Sequence, residues 1–150
     1  MDLETKINTD LKEAMKAKDE AALRAIRSIK SAILLFKTSG SGEELDDSNA
    51  IKMLQKMVKQ RKESIAIFEQ QKREDLAKIE KEEVSVIERY LPKQLSVEAI
   101  EAEVKDIIHT LGATSIKDMG KVIGQANQRL AGQAEGKIIA DAVKKLLGNV

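Results

Sequence analysis

The chain contains a single proline, Pro92, and this residue constrains its fold more than any other. Proline lacks a backbone N–H and disfavours the helical conformation at the preceding residue, so a helix that reaches Leu91 should end there. Ser96 can cap the next helix with its side-chain oxygen. Six of the eight glycines follow Pro92, whereas both phenylalanines precede it. The sequence therefore predicts a hinge at Pro92 between two helical domains, residues 1–92 and 93–150.

Apolar residues recur at three- and four-residue intervals on both sides of Pro92, which is the period of amphipathic helices. Before the proline the pattern predicts four helices, and the third should run from Asp47 or Ser48 to about Gln71. After the proline it predicts three shorter helices, the first of which should end at Gly112. The predicted fold is all-α, with a larger N-terminal helical domain followed by a small C-terminal three-helix bundle.

The composition agrees with a helical protein that has aliphatic cores. Aromatic residues make up only 2% of the chain and charged residues 34%. Cysteine is absent from the sequence, which excludes disulfides, thiolate metal sites and a cysteine nucleophile. The first residues are charged, and no stretch approaches the roughly 20 apolar residues of a membrane span. We therefore expect a cytoplasmic protein that has no membrane association.

Basic residues cluster in two regions, although the net charge of the whole chain is only +1. Lys52, Lys56 and Lys59 recur at helical spacing, which places them on one face of the third helix. Beyond the first predicted helix after Pro92 the chain is also locally basic, with only three acidic residues against six basic ones: Lys117, Lys121, Arg129, Lys137, Lys144 and Lys145. Such clusters contact phosphates in some proteins and form ordinary solvated surface in others. The same two interpretations apply to Arg24, Arg27 and Lys30 on the second helix, which can form a basic strip or pair with acidic neighbours.

Two glycines, Gly120 and Gly124, lie four residues apart inside a predicted helix that begins near a capping-box pattern, Ser115 to Asp118. An interior glycine costs about 1 kcal/mol relative to alanine. We therefore expect both glycines to permit the close approach of another helix or of a ligand backbone.

Residues that could perform chemistry are sparse. The stretch 38–47 has the Gly/Ser content of a flexible connector, and it lacks the Lys-Ser/Thr pair of a phosphate-binding loop. Glu80 and Glu83 lie one turn apart among basic residues, as expected for a mixed-charge surface. His109 is the single histidine and has no neighbouring histidine or cysteine. We predict no catalytic residue, no metal site and no cofactor.

Four stretches of the sequence resemble the YqeY-like family. They are 14–19 (AMKAKD), 23–27 (LRAIR), 90–96 (YLPKQLS) and 117–124 (KDMGKVIG). The second half also resembles the tail domain of the B subunit of the tRNA-dependent amidotransferase (GatB). The resemblance implies an all-α protein of two domains, and it associates the chain with carbon–nitrogen ligases that use glutamine as the nitrogen donor.

The resemblance and the local basic charge together lead to one main hypothesis and two alternatives. The main hypothesis is a non-catalytic module that binds tRNA or another structured RNA. Its phosphate contacts would be Lys117, Lys121, Arg129, Lys137 and Lys144, extended by Lys52, Lys56 and Lys59. One alternative is an accessory subunit that binds the amidotransferase or another translation protein. The other is a glutamine-dependent ligase, although the sequence shows neither a nucleophile for ammonia release nor a carboxylate-activating site.

Overall fold

The computed structural model describes residues 2–148, and within that range all regular secondary structure is helical. Seven α-helices and one 3₁₀ turn occur in this part of the chain, with no β-strand among them. They are α1 (Leu3–Ala17), α2 (Glu20–Thr38), α3 (Asp47–Gln70), α4 (Glu74–Glu88), α5 (Val97–Leu111), the 3₁₀ turn (Ile116–Asp118), α6 (Met119–Arg129) and α7 (Gly136–Leu147). The all-α prediction is confirmed, and the observed bounds of α3 agree with the predicted ones.

The chain divides into two compact units, Met1–Leu91 and Pro92–Val150, which we call the N-terminal unit and the C-terminal unit. In the N-terminal unit, α1 packs on α2, and α4 packs on both α2 and α3. Its core is aliphatic and includes four side chains that are almost completely buried: Ile7, Ile29, Leu54 and Ile87. Residues 39–46 connect α2 to α3 as an irregular segment.

In the C-terminal unit, α5, α6 and α7 pack on one another around a second aliphatic core. Its largest side chains that are almost completely buried are Ile100, Val104, Ile107, Val122, Ile139, Val143 and Leu147. The segment between Pro92 and α5 is held to this unit by hydrogen bonds from a side-chain amide and a backbone N–H. The Gln94 side chain donates to the carbonyl of Gly132 at 2.6 Å, and the Leu95 N–H donates to the carbonyl of Gln133 at 2.9 Å.

Three helix termini have well-defined capping geometry, and two of them, at Ser96 and Gly112, confirm the predictions. Asp19 accepts a hydrogen bond from the Ala22 N–H, and Ser96 accepts one from the Ala99 N–H, each at 3.1 Å. Gly112 ends α5 in the left-handed conformation, with φ of 65°, which glycine adopts without a Cβ clash.

The helix before the proline ends earlier than predicted, at Glu88 rather than Leu91. The N–H groups of Arg89, Tyr90 and Leu91 each donate to a carbonyl three residues earlier. The last turn is therefore tighter than an α-helix. Pro92 limits how far the helix could extend, but the α-helix already ends at Glu88, where the tighter turn begins.

Candidate nucleic-acid interface

The first candidate surface lies at the start of α6 and consists of Lys117, Gly120, Lys121 and Gly124, which we call the lysine–glycine face. All four residues are solvent-exposed. They follow one another at intervals of three, one and three residues, so they share one side of the helix and of the turn that precedes it. Neither lysine side chain forms an ion pair with another residue in the range 2–148.

A 3₁₀ turn positions Lys117 ahead of α6 and replaces the predicted capping box. The Ser115 hydroxyl accepts a hydrogen bond from the Lys117 N–H at 3.3 Å. The Asp118 carboxylate accepts one from the Thr114 N–H at 3.1 Å. Each side chain thus bonds one position away from the capping-box pattern, and α6 begins at Met119, after the turn.

We predicted that Gly120 and Gly124 permit the close approach of either another helix or a ligand backbone. Among the described residues, no other helix packs against them. No heavy atom lies within 4 Å of the position that a Cβ would take on either glycine. The reason is the orientation of α6, whose buried stripe of Val122, Ala126 and Leu130 lies on the opposite side. The approach of a ligand to the helix backbone is the use that the geometry leaves open.

Arg129 does not belong with these lysines, because carboxylates of α5 already engage its guanidinium group. Its two terminal nitrogens lie 2.8 Å from a carboxylate oxygen of Glu103 and 2.8 Å from one of Asp106. The hydrogen bond that Arg129 donates to Asp106 and the charge of Glu103 raise the pKa of Arg129. A phosphate would have to displace both carboxylates, so we exclude Arg129 from the candidate interface. Lys145 is likewise engaged, by Glu101 at 2.9 Å.

Lys137 and Lys144 lie on α7, seven residues apart and therefore on the same side of that helix. Both are exposed, and neither forms an ion pair with another described residue. The structure places them on a different helix from the lysine–glycine face, within the same unit.

The second candidate surface is on α3 in the N-terminal unit and consists of Lys52, Lys56 and Lys59, which we call the α3 lysine row. All three side chains are exposed and form no ion pair with another described residue. The adjacent Arg61 is partly buried instead, and it donates to the Ser28 hydroxyl and to the Met57 carbonyl. Lys62 lies 3.9 Å from Glu88. The α3 lysine row therefore consists of the three predicted lysines and does not extend to Arg61 or Lys62.

The tyrosine next to Pro92 has a role that sequence patterns did not indicate. The Tyr90 hydroxyl donates a hydrogen bond to Asp10 of α1, and the Lys6 ammonium lies 5.2 Å from the centre of the Tyr90 ring. Burial, followed by the hydrogen bond to Asp10, raises the pKa of Tyr90. These side chains line a groove of about 380 Å³ whose floor includes Ala14, Ala22 and Ile26. The solitary tyrosine was a visible signal, but nothing in the sequence pointed to Asp10.

The acidic residues and the single histidine form no metal-binding cluster in the described part of the chain. Within residues 2–148 there is no group of three or more His, Asp or Glu side chains arranged to hold a metal ion. His109 is exposed in the last turn of α5. None of the helices described is long and apolar enough to cross a membrane.

These features define a class: an all-helical protein of two compact units, each of which exposes, along one face of a helix, lysines that form no ion pair with another described residue. The chain belongs to the YqeY-like protein family, whose family model matches residues 4–147. The family resemblance seen in the sequence is thus confirmed over nearly the whole chain.

Curated relatives carry the name "Altered inheritance of mitochondria protein 41, mitochondrial". The relative from Clavispora lusitaniae is 36% identical over 129 residues, which are 83% of this chain and 74% of that protein. A Saccharomyces cerevisiae relative is 39% identical over 68% of this chain and 56% of its own length. The Kluyveromyces lactis relative is 36% identical over 70% of this chain and 58% of its own length. The matched region is therefore little more than half of the last two proteins.

The names of these relatives contradict the predicted cytoplasmic location, because each is named as a mitochondrial protein. The prediction was based on composition, the absence of cysteine and a charged N-terminus. Such features describe the solubility of a folded chain and do not encode the compartment in which it works.

Proposed function

We propose that this protein is a non-catalytic module that binds tRNA or another structured RNA through the lysine–glycine face. One observation carries the proposal: Lys117 and Lys121 are exposed and unpaired among the described residues, beside two glycines whose helix backbone is uncovered. Phosphate oxygens can reach both ammonium groups without displacing a carboxylate. The missing Cβ atoms at Gly120 and Gly124 leave room for a sugar–phosphate backbone to approach α6.

Contacts of this kind determine affinity and position but do not read a base sequence. We therefore propose a ligand recognised by its folded shape and phosphate spacing, which suits tRNA. Lys137 and Lys144 extend the proposed interface in the C-terminal unit. The α3 lysine row is a further proposed contact, on the N-terminal unit.

The family resemblance supports a finer proposal on architecture. We propose that residues 1–92 form a larger helical domain and that residues 93–150 form a three-helix bundle comparable to the amidotransferase tail domain. Pro92 is the proposed hinge. Tyr90 is tied to Asp10 in the N-terminal unit and Gln94 to Gly132 in the C-terminal unit, so only a short segment around the proline lies between the two attachments.

Binding of labelled tRNA to the full chain over a series of salt concentrations tests the main proposal, with a DNA duplex as the competing ligand. Charge reversal of Lys117→Glu together with Lys121→Glu should weaken binding by on the order of tenfold or more. It should also reduce the magnitude of the salt slope by roughly 2, since each phosphate contact contributes about 0.9 for a duplex. The matched control is Lys93→Glu with Lys105→Glu, which reverses two exposed lysines of the same unit and should have a much smaller effect.

Equal losses in the two double variants would contradict the surface assignment, because the effect would then follow net charge alone. Reversal of Lys52, Lys56 and Lys59 in a third variant measures the contribution of the N-terminal unit. Absence of saturable tRNA binding by the unaltered protein at low salt would reject RNA binding itself.

A second candidate function is an accessory subunit that binds the amidotransferase or another translation protein. The observation in its favour is a pair of adjacent, strongly exposed leucines on α2, Leu34 and Leu35. Exposed apolar side chains that lie together often mark protein interfaces. Glutamine-dependent ligase activity has no such observation behind it, and an assay for ammonia release from glutamine tests it directly. Turnover above that of heat-denatured protein would establish the activity.

A further inference from the structure

The outer side of α2 combines basic and apolar residues that nothing in the described chain covers. Arg27, Lys30, Leu34 and Leu35 are all exposed. Leu34 and Leu35 retain 64% and 71% of their accessible surface, the largest fractions among the exposed large hydrophobic residues. Arg27, Lys30 and Leu34 are spaced by three and four residues, so they lie on one side of the helix.

The basic residues of α2 divide into a paired and an unpaired set. Arg24 lies 2.9 Å from Glu82 of α4 and is only partly exposed, so it belongs to the packing of the unit. Arg27 and Lys30 form no ion pair with another described residue. Within residues 2–148, these two cations beside exposed leucines therefore have no ion-pair partner.

A groove of about 200 Å³ lies between α1 and α2, directly beside Leu34. The buried side chains Ile7 and Ile33 contribute its apolar lining, while Lys30 and Lys37 line it as well. Lys37 is already paired with Glu4 of α1, whereas Lys30 at the groove forms no ion pair in the part of the chain that the structure describes. The volume is several times the roughly 30 Å³ of one water molecule, which is enough for a whole apolar side chain.

We propose that this α1–α2 groove binds an acidic amphipathic helix of a partner protein, which inserts one large apolar side chain and places carboxylates against Arg27 and Lys30. The combination of an apolar recess, flanking leucines and unpaired cations matches helix-in-groove recognition, in which anchors recur every three or four residues. A lipid surface would use the leucines and cations but has no need of a recess. This inference deepens the second candidate function and does not depend on RNA binding.

Synthetic peptides test the groove in the context of the full chain. The probe is a fluorescein-labelled helix of about five turns, with leucines at every third or fourth position and glutamates on the flanking positions. Two controls accompany it: a peptide of the same composition in scrambled order, and one in which lysines replace the glutamates. Binding is measured by fluorescence anisotropy and should be saturable for the glutamate peptide alone.

Three variants should weaken that binding by on the order of tenfold or more, as expected for anchor residues. Ser31→Trp obstructs the groove, Leu34→Ser with Leu35→Ser removes the flanking apolar surface, and Arg27→Glu with Lys30→Glu removes the counter-charges. The last variant should also shift preference towards the lysine peptide. Ile67→Ser with Ile79→Ser is the matched control, because it alters exposed apolar residues of α3 and α4 and should leave binding unchanged.

The proposal is overturned if the glutamate peptide shows no saturable binding, or if it binds the three variants as tightly as the unaltered chain. It is also overturned if the peptide fails while the leucine pair drives self-association in sedimentation or binding to anionic vesicles. The three variants should retain tRNA binding, so failure of the groove and failure of the lysine–glycine face give different results.

Discussion

The two units attach the chain on either side of Pro92 by different chemistry. On the N-terminal side, the phenol of Tyr90 is bonded to a carboxylate, Asp10. On the C-terminal side, neutral side-chain amides attach the chain. Gln94 donates to the Gly132 carbonyl, and Gln133 donates to the Lys93 carbonyl at 3.3 Å. A phenol–carboxylate contact depends on pH, whereas an amide–carbonyl contact does not. Each unit therefore has its own core, and we expect each to have its own response to pH.

The strongest test of separate cores is a pair of buried substitutions. Ile29 in the N-terminal core and Ile107 in the C-terminal core are 0% and 2% exposed. Replacement of either by alanine should lower the free energy of unfolding by about 2–5 kcal/mol. Hydrogen exchange should quicken in 3–88 for Ile29→Ala and in 97–147 for Ile107→Ala. If each variant quickened exchange equally throughout the chain, the two cores would unfold as one cooperative unit.

Removal of the Tyr90 hydroxyl should sharpen the contrast in pH response. We expect Tyr90→Phe to lower the free energy of unfolding at neutral pH by about 1 kcal/mol, the typical contribution of one hydrogen bond. Because the pKa of Tyr90 is raised in the folded protein, the neutral phenol is favoured there. Its contribution is complete below the usual tyrosine pKa of about 10 and is lost as the pH rises above it.

Urea unfolding at neutral and alkaline pH measures this effect as the difference between the unaltered protein and Tyr90→Phe, which cancels the titration of lysines. The matched variant Gln94→Ala removes the neutral contact of the other unit. Its cost should be the same at both pH values. A pH-independent difference for Tyr90→Phe would contradict the assignment.

Replacement of the two α6 glycines by alanine should raise stability but weaken tRNA binding. Both have open space around the missing Cβ, so Gly120→Ala and Gly124→Ala should each raise the free energy of unfolding by about 0.4–1 kcal/mol. If RNA approaches the helix backbone there, the same two changes should weaken tRNA binding severalfold. Gly112→Ala is the control, since its φ of 65° makes alanine destabilising at that position. Unchanged tRNA affinity in the double alanine variant would remove the glycines from the proposed interface.

The smallest effect should come from Arg129, which marks the limit of the basic surface. Arg129→Gln breaks an exposed ion pair with Glu103 and Asp106, so it should lower the melting temperature slightly, and less at high salt. It should leave tRNA affinity nearly unchanged, whereas Lys121→Gln should weaken it. A loss for Arg129→Gln as large as that for Lys121→Gln would show that the guanidinium exchanges its carboxylates for phosphates.

Much of the local structure was predictable, because its determinants lie within a few residues of one another. The apolar period predicted helices throughout, and the bounds of α3 and the caps Asp19, Ser96 and Gly112 follow from neighbours three or four positions away. The ends of helices were harder to predict where several local hydrogen-bonding patterns compete. The tight turn after Glu88 and the 3₁₀ turn before α6 are both of this kind.

The sequence by itself determined an all-helical chain of the YqeY-like family, with lysines on defined helix faces. Only the tertiary structure decided which cations remain available. Arg24 meets Glu82 across 58 residues of sequence, and Arg129 meets Asp106 across 23, whereas Lys30 and Lys121 meet no carboxylate among the described residues. Helical periodicity arises from bonds between near neighbours and is written in the order of residues. Charge pairing depends on which helices the packing brings together, and no local pattern carries that information.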